Sequence, residues 1–350
     1  MSEPIGTVVR PYHEGDVPQL LALFARVFGT PITAEHWRWK LLANPAPACN
    51  VWLAVADQRP VFQYAGIAQR FEFDGAPLLG FVSVDTMTDP DFRRRGLLTQ
   101  VATRAYDSWK AAGAAFVIGL PNQQWGSRAA ALGWQELFPL RWLARPLEPQ
   151  AYLARRMRWP WLKNLPVAGI WNAWFDRRLR RDATLTLTDV RRADAHFDAF
   201  WDELRGRYAY STVRDSAWIN WRFLDSPSRR YQVLAAWRDG RVLGYLAYRV
   251  VEVDTRVAIQ LAEIITAPDA GAVRDTLLAE LTARSRRLGA QTIATLAVPG
   301  TTLFGALQRA GFFAGPEFSV QIVPFATAPS LNALRERERW LMSGADYDVI

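Results

Sequence analysis

Three consecutive arginines, Arg93, Arg94 and Arg95, run into Gly96 and then into Leu97-Leu98-Thr99. Glycine lets a backbone approach a ligand closely. The first N–H groups of a following helix are unpaired and lie at the positive end of its dipole. Arginines added to that arrangement make an anion site, and its natural ligand is a phosphate or pyrophosphate. A bare solvated charge run is the alternative, but the glycine and helix start favour the anion site. The spacing fits neither the G-x-x-x-x-G-K-[ST] phosphate loop nor the G-x-G-x-x-G dinucleotide fingerprint. Other chemistries lack their residues. The chain has one cysteine, Cys49, and three scattered histidines, His13, His36 and His196. No metal site and no disulfide framework are therefore expected. No G-x-S-x-G elbow supports a serine nucleophile, and Cys49 has no identifiable histidine partner.

The elements that must position this loop can be read around it. A strand is expected over Phe81–Thr88, a turn at Asp89-Pro90-Asp91, and a helix from Leu97 to about Ala112. A further strand follows over Phe116–Leu120, and a small-residue helix ends at Gly133-Trp134. The chain also repeats itself at an offset of 182: Trp39-Lys40-Leu41-Leu42-Ala43-Asn44-Pro45 matches Trp221-Arg222-Phe223-Leu224-Asp225-Ser226-Pro227. The strand Val51–Asp57 lies over Val233–Asp239, where Asp239-Gly240 signals a hairpin. Ala131-Leu132-Gly133-Trp134 has its counterpart in Arg309-Ala310-Gly311-Phe312. A period this long means two copies of one α/β domain rather than a solenoid. The expected organisation is residues 1–145, a basic Trp-rich helical insert over 146–182, a second domain over 183–326, and a C-terminal helix and tail over 327–350. One helix is expected over Leu331–Met342.

The stretch Arg93-x-x-Gly96-x-Leu98 resembles the acyl-CoA pyrophosphate loop, [RQ]-x-x-G-x-[GA], of the GNAT superfamily of N-acetyltransferases. Leu98 departs from the last position of that pattern. The strand before the loop, the Thr88-Asp89-Pro90 turn, the following strand and the Gly133-Trp134 helix end all fall in the family's order. The resemblance covers the whole first domain. The second domain resembles the same fold with the loop eroded, since Ala267-Pro268-Asp269-Ala270-Gly271-Ala272 lacks the arginines. The resemblance implies two tandem GNAT-type domains, α/β (α+β), with mixed and mostly antiparallel sheets flanked by helices. It also implies acetyl transfer from acetyl-CoA to a primary amine in one working site and one degenerate copy.

Cofactor contacts are carried over residue by residue: Arg93, Arg94, Arg95, Gly96, Leu97, Leu98 and Thr99 at the pyrophosphate, Met87 and Thr88 along the pantetheine arm, and Asn122 at the end of the next strand. Asn122 reads equally as a turn residue. Asp85 is the only acid in the strand; it reads as a base for the amine, as a substrate anchor or as a solvated side chain. Many members carry a tyrosine acid in the helix before Gly-aromatic, where this chain has Ala129-Ala130-Ala131. In similar tandem proteins the C-terminus reaches the active site, so Asp346, Tyr347, Asp348 and the Ile350 carboxylate are either part of the site or a frayed tail. Glu35, His36, Trp37 and Trp39 follow the first helix, where this fold lines its acceptor site. Stacking on a sugar is one reading of these tryptophans and core packing the other; for Trp39, repeated as Trp221, core is the better expectation. For His36 a surface position is the commoner case.

The net charge of +8 is localised. Residues 141–181 hold ten Lys/Arg and two Asp/Glu, so the remainder of the chain is neutral. Five tryptophans (142, 159, 161, 171 and 174) share that segment. It reads as a bridge between the domains, as a contact with anionic lipid, or as a collar for a lipid-linked or polyanionic substrate. Nucleic acid lacks a recognition motif. No stretch of about 18 uncharged apolar residues exists and the N-terminus has no signal-peptide core, which points to a cytoplasmic protein, with peripheral membrane contact through 141–181 as an addition. The expected partner is a small-molecule amine such as an amino sugar or an aminoglycoside-like molecule, with no metal required. The rival reading is a non-catalytic CoA-binding sensor or assembly protein at the inner membrane surface, in polysaccharide biosynthesis. Sequence alone leaves the oligomeric state open.

Overall fold

The computed structural model describes residues 6–46, 50–121, 126–159, 161 and 164–347. They form two compact units. The first comprises residues 1–138, 226–228 and 319–335, and the second 139–225, 229–318 and 336–350.

In the first half of the chain β1 (Val8–Pro11) leads to α1 (Val17–Phe28) and α2 (Ala34–Leu41). A meander follows, β2 (Val51–Ala56), β3 (Arg59–Phe73) and β4 (Ala76–Thr88). Then come α3 (Leu97–Ala111), β5 (Ala114–Gly119), α4 (Gly126–Ala131) and β6 (Gln135–Pro146). Two short helices, α5 (Pro149–Arg156) and α6 (Val167–Asp176), lie in the basic insert, just after β6 ends at Pro146. The second half repeats the pattern. It runs β7 (Thr186–Val190), α7 (Ala195–Leu204), β8 (Tyr210–Thr212), α8 (Ser216–Ile219, continued by a π-turn Asn220–Leu224), β9 (Tyr231–Arg238), β10 (Arg241–Val253) and β11 (Arg256–Thr266). After these come α9 (Gly271–Arg287), β12 (Thr292–Ala297), α10 (Thr302–Arg309) and β13 (Phe313–Pro324).

The hairpins are built alike in both halves. Asp57-Gln58, Asp74-Gly75, Asp239-Gly240 and Asp254-Thr255 all have positive φ at both turn positions. Such turns match the right-handed twist of the strands they join. Within the first unit the strands follow the order β1-β2-β3-β4-β5-β13, and within the second β6-β12-β11-β10-β9-β7. Along each order the described neighbours include a parallel pair, β4–β5 in one and β11–β12 in the other. Each order is completed by a strand from the other half of the chain: β13 pairs with β5 from Phe116 to Gly119, and β6 pairs with β12 from Thr292 to Ala297. Local pattern shows that a strand exists but not which sheet it joins, so contiguous sequence boundaries miss this exchange.

The helix expected over Leu331–Met342 is a single turn, α11 (Leu331–Leu334). Trp340-Leu341 instead forms β14, parallel to Tyr210-Ser211 of β8, with Trp340 and Leu341 buried. Burial of these two apolar side chains outweighs the helix propensity of the charged run before them.

In the first unit α3 covers one face of the sheet. Trp109 stacks on Phe81 at 4.4 Å and on Tyr64 at 5.6 Å. Gly66 makes room for that ring, since a Cβ there would lie 2.8 Å from it. Beneath β4 the Tyr64 and Tyr106 hydroxyls are 2.9 Å apart, and Trp134 Nε1 donates to Tyr106 at 3.0 Å. Burial pushes the Tyr106 phenol up to about 12 and the Tyr64 phenol well above its ordinary value. An unfolded chain ionises these phenols near 10, so their contribution to stability is complete below that pH and is lost as pH rises through 12. Alkaline titration of phenolate absorbance should show both tyrosines ionising late and together with unfolding. Tyr64→Phe and Tyr106→Phe should remove that late fraction; a fraction that persists in both variants would contradict the assignment.

Candidate functional site

β4 and β5 pair only from Leu79↔Ala114 to Val82↔Ile118. Beyond Val82, β4 continues to Thr88 while still paired with β3 on its other side. Among the described residues nothing pairs with its freed edge. Ser83 to Thr86 and Thr88 are accordingly half-exposed, unusual for an internal strand. An extended chain laid there could bond to the open backbone groups, as in strand addition.

Asp85 sits at a bulge on this segment. Gln63 pairs with Met87 and Ala65 with Val84, so Asp85 and Thr86 together face Tyr64. Asp85 adopts φ 47°, a left-handed conformation that costs a non-glycine residue energy. Gln63 Nε2 donates to the Asp85 carbonyl at 3.1 Å. The Asp85 carboxylate forms an ion pair with Lys40 Nζ at 2.5 Å, and the two side chains are 10% and 2% exposed. Lys40 lies on the buried face of α2, which also carries His36, Trp37 and Leu41.

The strand runs directly into the basic loop. Asp89 has a fully buried side chain that accepts from Asp91 N at 3.1 Å and pairs with Arg59 at 2.7 Å and Arg26 at 3.0 Å. Burial alone would raise this carboxyl, but the Asp91 N–H and the two arginines outweigh it and hold it below the usual carboxylate range. This knot fixes the turn Pro90–Phe92. Phe92 is buried beneath the Arg95 guanidinium at 4.6 Å, which also donates to the Asp91 carbonyl at 3.0 Å. Arg93, Arg94 and Arg95 are exposed. Arg94 and Gly96 have φ 62° and 75°. A Cβ at Gly96 would meet only Gln100 Nε2, at an ordinary contact distance of 3.8 Å, so conformation rather than crowding requires glycine there. Gly96 is the N-cap of α3 and supplies no side chain, which leaves the first helix N–H groups pointing outward.

The structure thus brings Asp85, Met87, Thr88 and Arg93 to Thr99 onto one strand–loop–helix path. Met87 and Leu97 are buried, Leu98 packs against the core, and Thr99 is exposed. Leu97 and Leu98 therefore offer backbone rather than side chains. Asn122 and Cys49 lie outside the described residues. Trp37 and Trp39 are both buried, at 0% and 7% exposure, so neither ring is available to stack on a sugar. His36 is buried as well, contrary to its expected surface position, and contacts the Ser228 hydroxyl. Lys40 and Gln63 were not legible as site residues. The one available signal was that Lys40 belongs to the repeated Trp-base-apolar-apolar run.

The second unit carries a counterpart with a different content. β11 and β12 pair only from Ala258 to Gln260. Past that point Ser343 bridges Ala297 of β12 and its hydroxyl meets Glu263 of β11 at 3.3 Å. Arg214, fully buried, pairs with Glu263 at 3.1 Å and with Asp346 at 2.8 Å. Tyr245 donates to Glu263 at 2.6 Å and Thr212 to Asp346 at 2.8 Å. Burial raises the Glu263 carboxyl; the Arg214 charge opposes that shift. So Asp346 and Tyr347 are neither a frayed tail nor part of the first unit: both are buried in the second. Asp348 and Ile350 lie outside the described residues. At the start of α9 a cavity of about 370 Å³ is lined by Asp182, Glu203 and Asp269 as well as Arg207 and Arg238. Its acids disfavour a pyrophosphate.

Residues 8–135 match the family model for the GNAT acetyltransferase domain. Solved structures share the fold over most of the chain. A GCN5-related N-acetyltransferase from Anabaena variabilis is 10% identical with a TM-score of 0.65, over 91% of this chain and 72% of that one. Another from Kribbella flavida is 13% identical with a TM-score of 0.62, over 91% and 70%. A tandem GNAT protein from the clavulanic acid biosynthesis pathway is 16% identical with a TM-score of 0.58, over 93% of this chain and all of that one. No curated protein matches. Among the described residues no cluster of His, Cys, Asp and Glu could hold a metal ion.

The filled wedge of the second unit yields a prediction. Asp346→Ala leaves Arg214 with one of its two carboxylate partners. Stability should fall by about 3 kcal/mol, read as a lower denaturation midpoint. Calorimetry on the intact protein should give one acetyl-CoA per chain; a second equivalent site would contradict the closed wedge.

Proposed function

We propose that this chain, a tandem GNAT protein whose first unit carries the family's domain over residues 8–135, transfers acetyl from acetyl-CoA to a primary amine by direct attack. The observation that carries the reading is the half-open edge of β4 ending in the arginine–glycine loop. The residues fit the co-substrate end to end. Arg93, Arg94 and Arg95, with Gly96 and the N–H groups of Leu97, Leu98 and Thr99, receive the pyrophosphate. The backbone from Asp85 to Thr88 receives the pantetheine arm and offers amides to the thioester carbonyl. The bulge at Asp85 turns backbone groups out of the β3 ladder where that carbonyl would lie.

In the reaction the neutral amine nitrogen forms a bond to the acyl carbon and loses a proton, the carbon–sulfur bond breaks, and CoA leaves as a thiolate that takes up a proton from solvent. Asp85 is the acid on the strand at that point. It would bind the incoming ammonium and take its proton, with Lys40 fixing the carboxylate from the α2 side. The acceptor in this reading is a primary amine such as an amino sugar or an aminoglycoside-like molecule. Peripheral contact with an anionic membrane through residues 141–181 belongs to the same reading, of a cytoplasmic protein. Among the described residues no helix is long and apolar enough to cross a membrane.

A second reading has its own support. Ala129–Ala131 of α4 supplies no tyrosine acid, and Lys40 already engages Asp85. Both fit a CoA-binding sensor or assembly protein that has lost turnover, at the inner membrane surface in polysaccharide biosynthesis. Free-thiol release from acetyl-CoA with a panel of amines separates the two; binding without turnover on any amine would favour the sensor. Gly96→Asp places a carboxylate where the pyrophosphate would sit. It should weaken acetyl-CoA binding at least about tenfold, roughly 1.4 kcal/mol, with unchanged circular dichroism. Unchanged affinity would overturn the cofactor assignment. Asp85→Asn should lower kcat more than the acetyl-CoA KM if the carboxylate takes the proton.

A further inference from the structure

Exposed apolar side chains concentrate in one short segment of the second unit. Leu153, Met157, Trp159, Trp161, Ile170 and Trp174 are 45, 46, 49, 59, 77 and 59% exposed. Leu165 and Val167, between them, are exposed too. Apolar surface in such density is rare on a soluble domain unless something covers it.

The segment is not merely loose. α6 is pinned by its inner face. Trp171 Nε1 donates to the Pro146 carbonyl at 2.9 Å and Asn172 Nδ2 to the Leu147 carbonyl at 2.8 Å. Asp176, at its end, pairs with the fully buried Arg145 at 2.8 Å. The opposite face, Ile170 and Trp174, is thereby held outward. The Trp159 and Trp161 rings stack at 6.2 Å while both remain half open to solvent. The charge is one-sided. From Pro149 to Phe175 the sequence carries Arg155, Arg156, Arg158 and Lys163 and no acid, and Arg177, Arg178, Arg180 and Arg181 follow. Arg178 lies over the Trp174 ring at 4.8 Å.

We propose that the described residues between 153 and 181 form a docking face for an anionic lipid bilayer, with Trp159, Trp161, Ile170 and Trp174 entering the interface and the exposed Arg158, Arg177, Arg178, Arg180 and Arg181 engaging headgroups. Tryptophan, apolar toward the acyl region and polar at its N–H, is suited to that depth. Arginines around inserted apolar side chains complement a negative surface. A stretch whose charges are all positive apart from Asp176, itself paired with Arg145 and Arg286, suits the uniform negative charge of such a bilayer. Residues 141–148 are excluded: Arg141 pairs with Glu317, Arg145 is buried, and the strand is built into the sheet. The inference refines the membrane part of the proposed function and is independent of turnover, which thiol release measures in solution.

The test uses the full chain with vesicles of phosphatidylcholine, with and without phosphatidylglycerol, in co-sedimentation at low and raised salt. Brominated acyl chains serve as tryptophan quenchers. Binding only to the phosphatidylglycerol vesicles, weakened by salt and with quenched tryptophan emission, is expected. Ile170→Asp with Trp174→Asp, both at exposed positions, should reduce binding at least tenfold at unchanged circular dichroism. Equal binding to both vesicle types, or none to either, would overturn the proposal. So would a stable dimer, found by light scattering, that the double variant dissociates, since the face would then belong to a second copy of the chain. A chain that acetylates amines but ignores vesicles refutes this inference alone.

Discussion

Two parallel strands that part company leave backbone donors and acceptors that must be satisfied by something other than their neighbour. Everything distinctive in this chain follows from how its two copies of that parting are filled. β4 separates from β5 after Val82 and β11 from β12 after Gln260. Unpaired internal edges are costly when buried and sticky when exposed. In the second unit the chain closes the gap with its own residues 343–346. In the first the edge stays half-exposed, and the anion loop stands at its end. Among the described residues an internal strand edge left half-exposed beside unpaired helix N–H groups is the arrangement that the proposed ligand, with an extended arm and an anionic head, would satisfy.

The same comparison explains the buried charges. Asp85 and Glu263 stand three residues before Thr88 and Thr266, the last residues of β4 and β11. Each meets a cation that is itself buried, Lys40 in one case and Arg214 in the other. Gln63 and Tyr245, at the 182-residue offset on β3 and β10, reach each acid or its carbonyl. A buried carboxylate is tolerable only when paired and hydrogen-bonded. In the second unit that requirement is met completely, by Arg214, Tyr245, Ser343 and the additional acid Asp346, and the result is a closed knot. The first unit keeps the pair without the extra acid, at a strained bulge. A buried acid paired with a buried cation thus recurs in both units, though at positions that the 182-residue repeat does not align, since Lys40 corresponds to Arg222 and not to Arg214.

Much of this was legible in the sequence because it is local. Hydrophobic alternation, turn residues and the arginine–glycine start of α3 place β4, the loop and the helix nearly where they lie. The Trp-base-apolar-apolar repeat marks α2 and its counterpart. What was not legible is non-local. Lys40 is only one base in a repeated run until topology sets it against Asp85, and His36 reads as exposed until the α2 face turns inward. The run around Leu331–Met342 has the composition of a helix, yet Trp340 and Leu341 find a strand partner in β8. The exchange of β6 and β13 is likewise invisible, since a strand's sequence records its faces and not its neighbours.

Duplication also separates tasks that compete on one surface. An acyl-transfer site needs an open edge and a polar, enclosed approach, whereas an interfacial face needs exposed tryptophan and arginine that would bind anionic ligands indiscriminately if placed beside it. All of the chain's excess positive charge lies in residues 141–181, and the rest is neutral despite the loop arginines. The insert lies in the second unit, whose wedge is filled and whose cavity is lined by acids. Among its described residues the parting of β11 and β12 is closed by residues 343–346, so in the proposed reading the basic apolar face competes with no phosphate site in that unit. The first unit holds its three loop arginines exposed beyond a turn that Asp89, Arg26 and Arg59 fix against the strand, the position the proposed pyrophosphate contact requires.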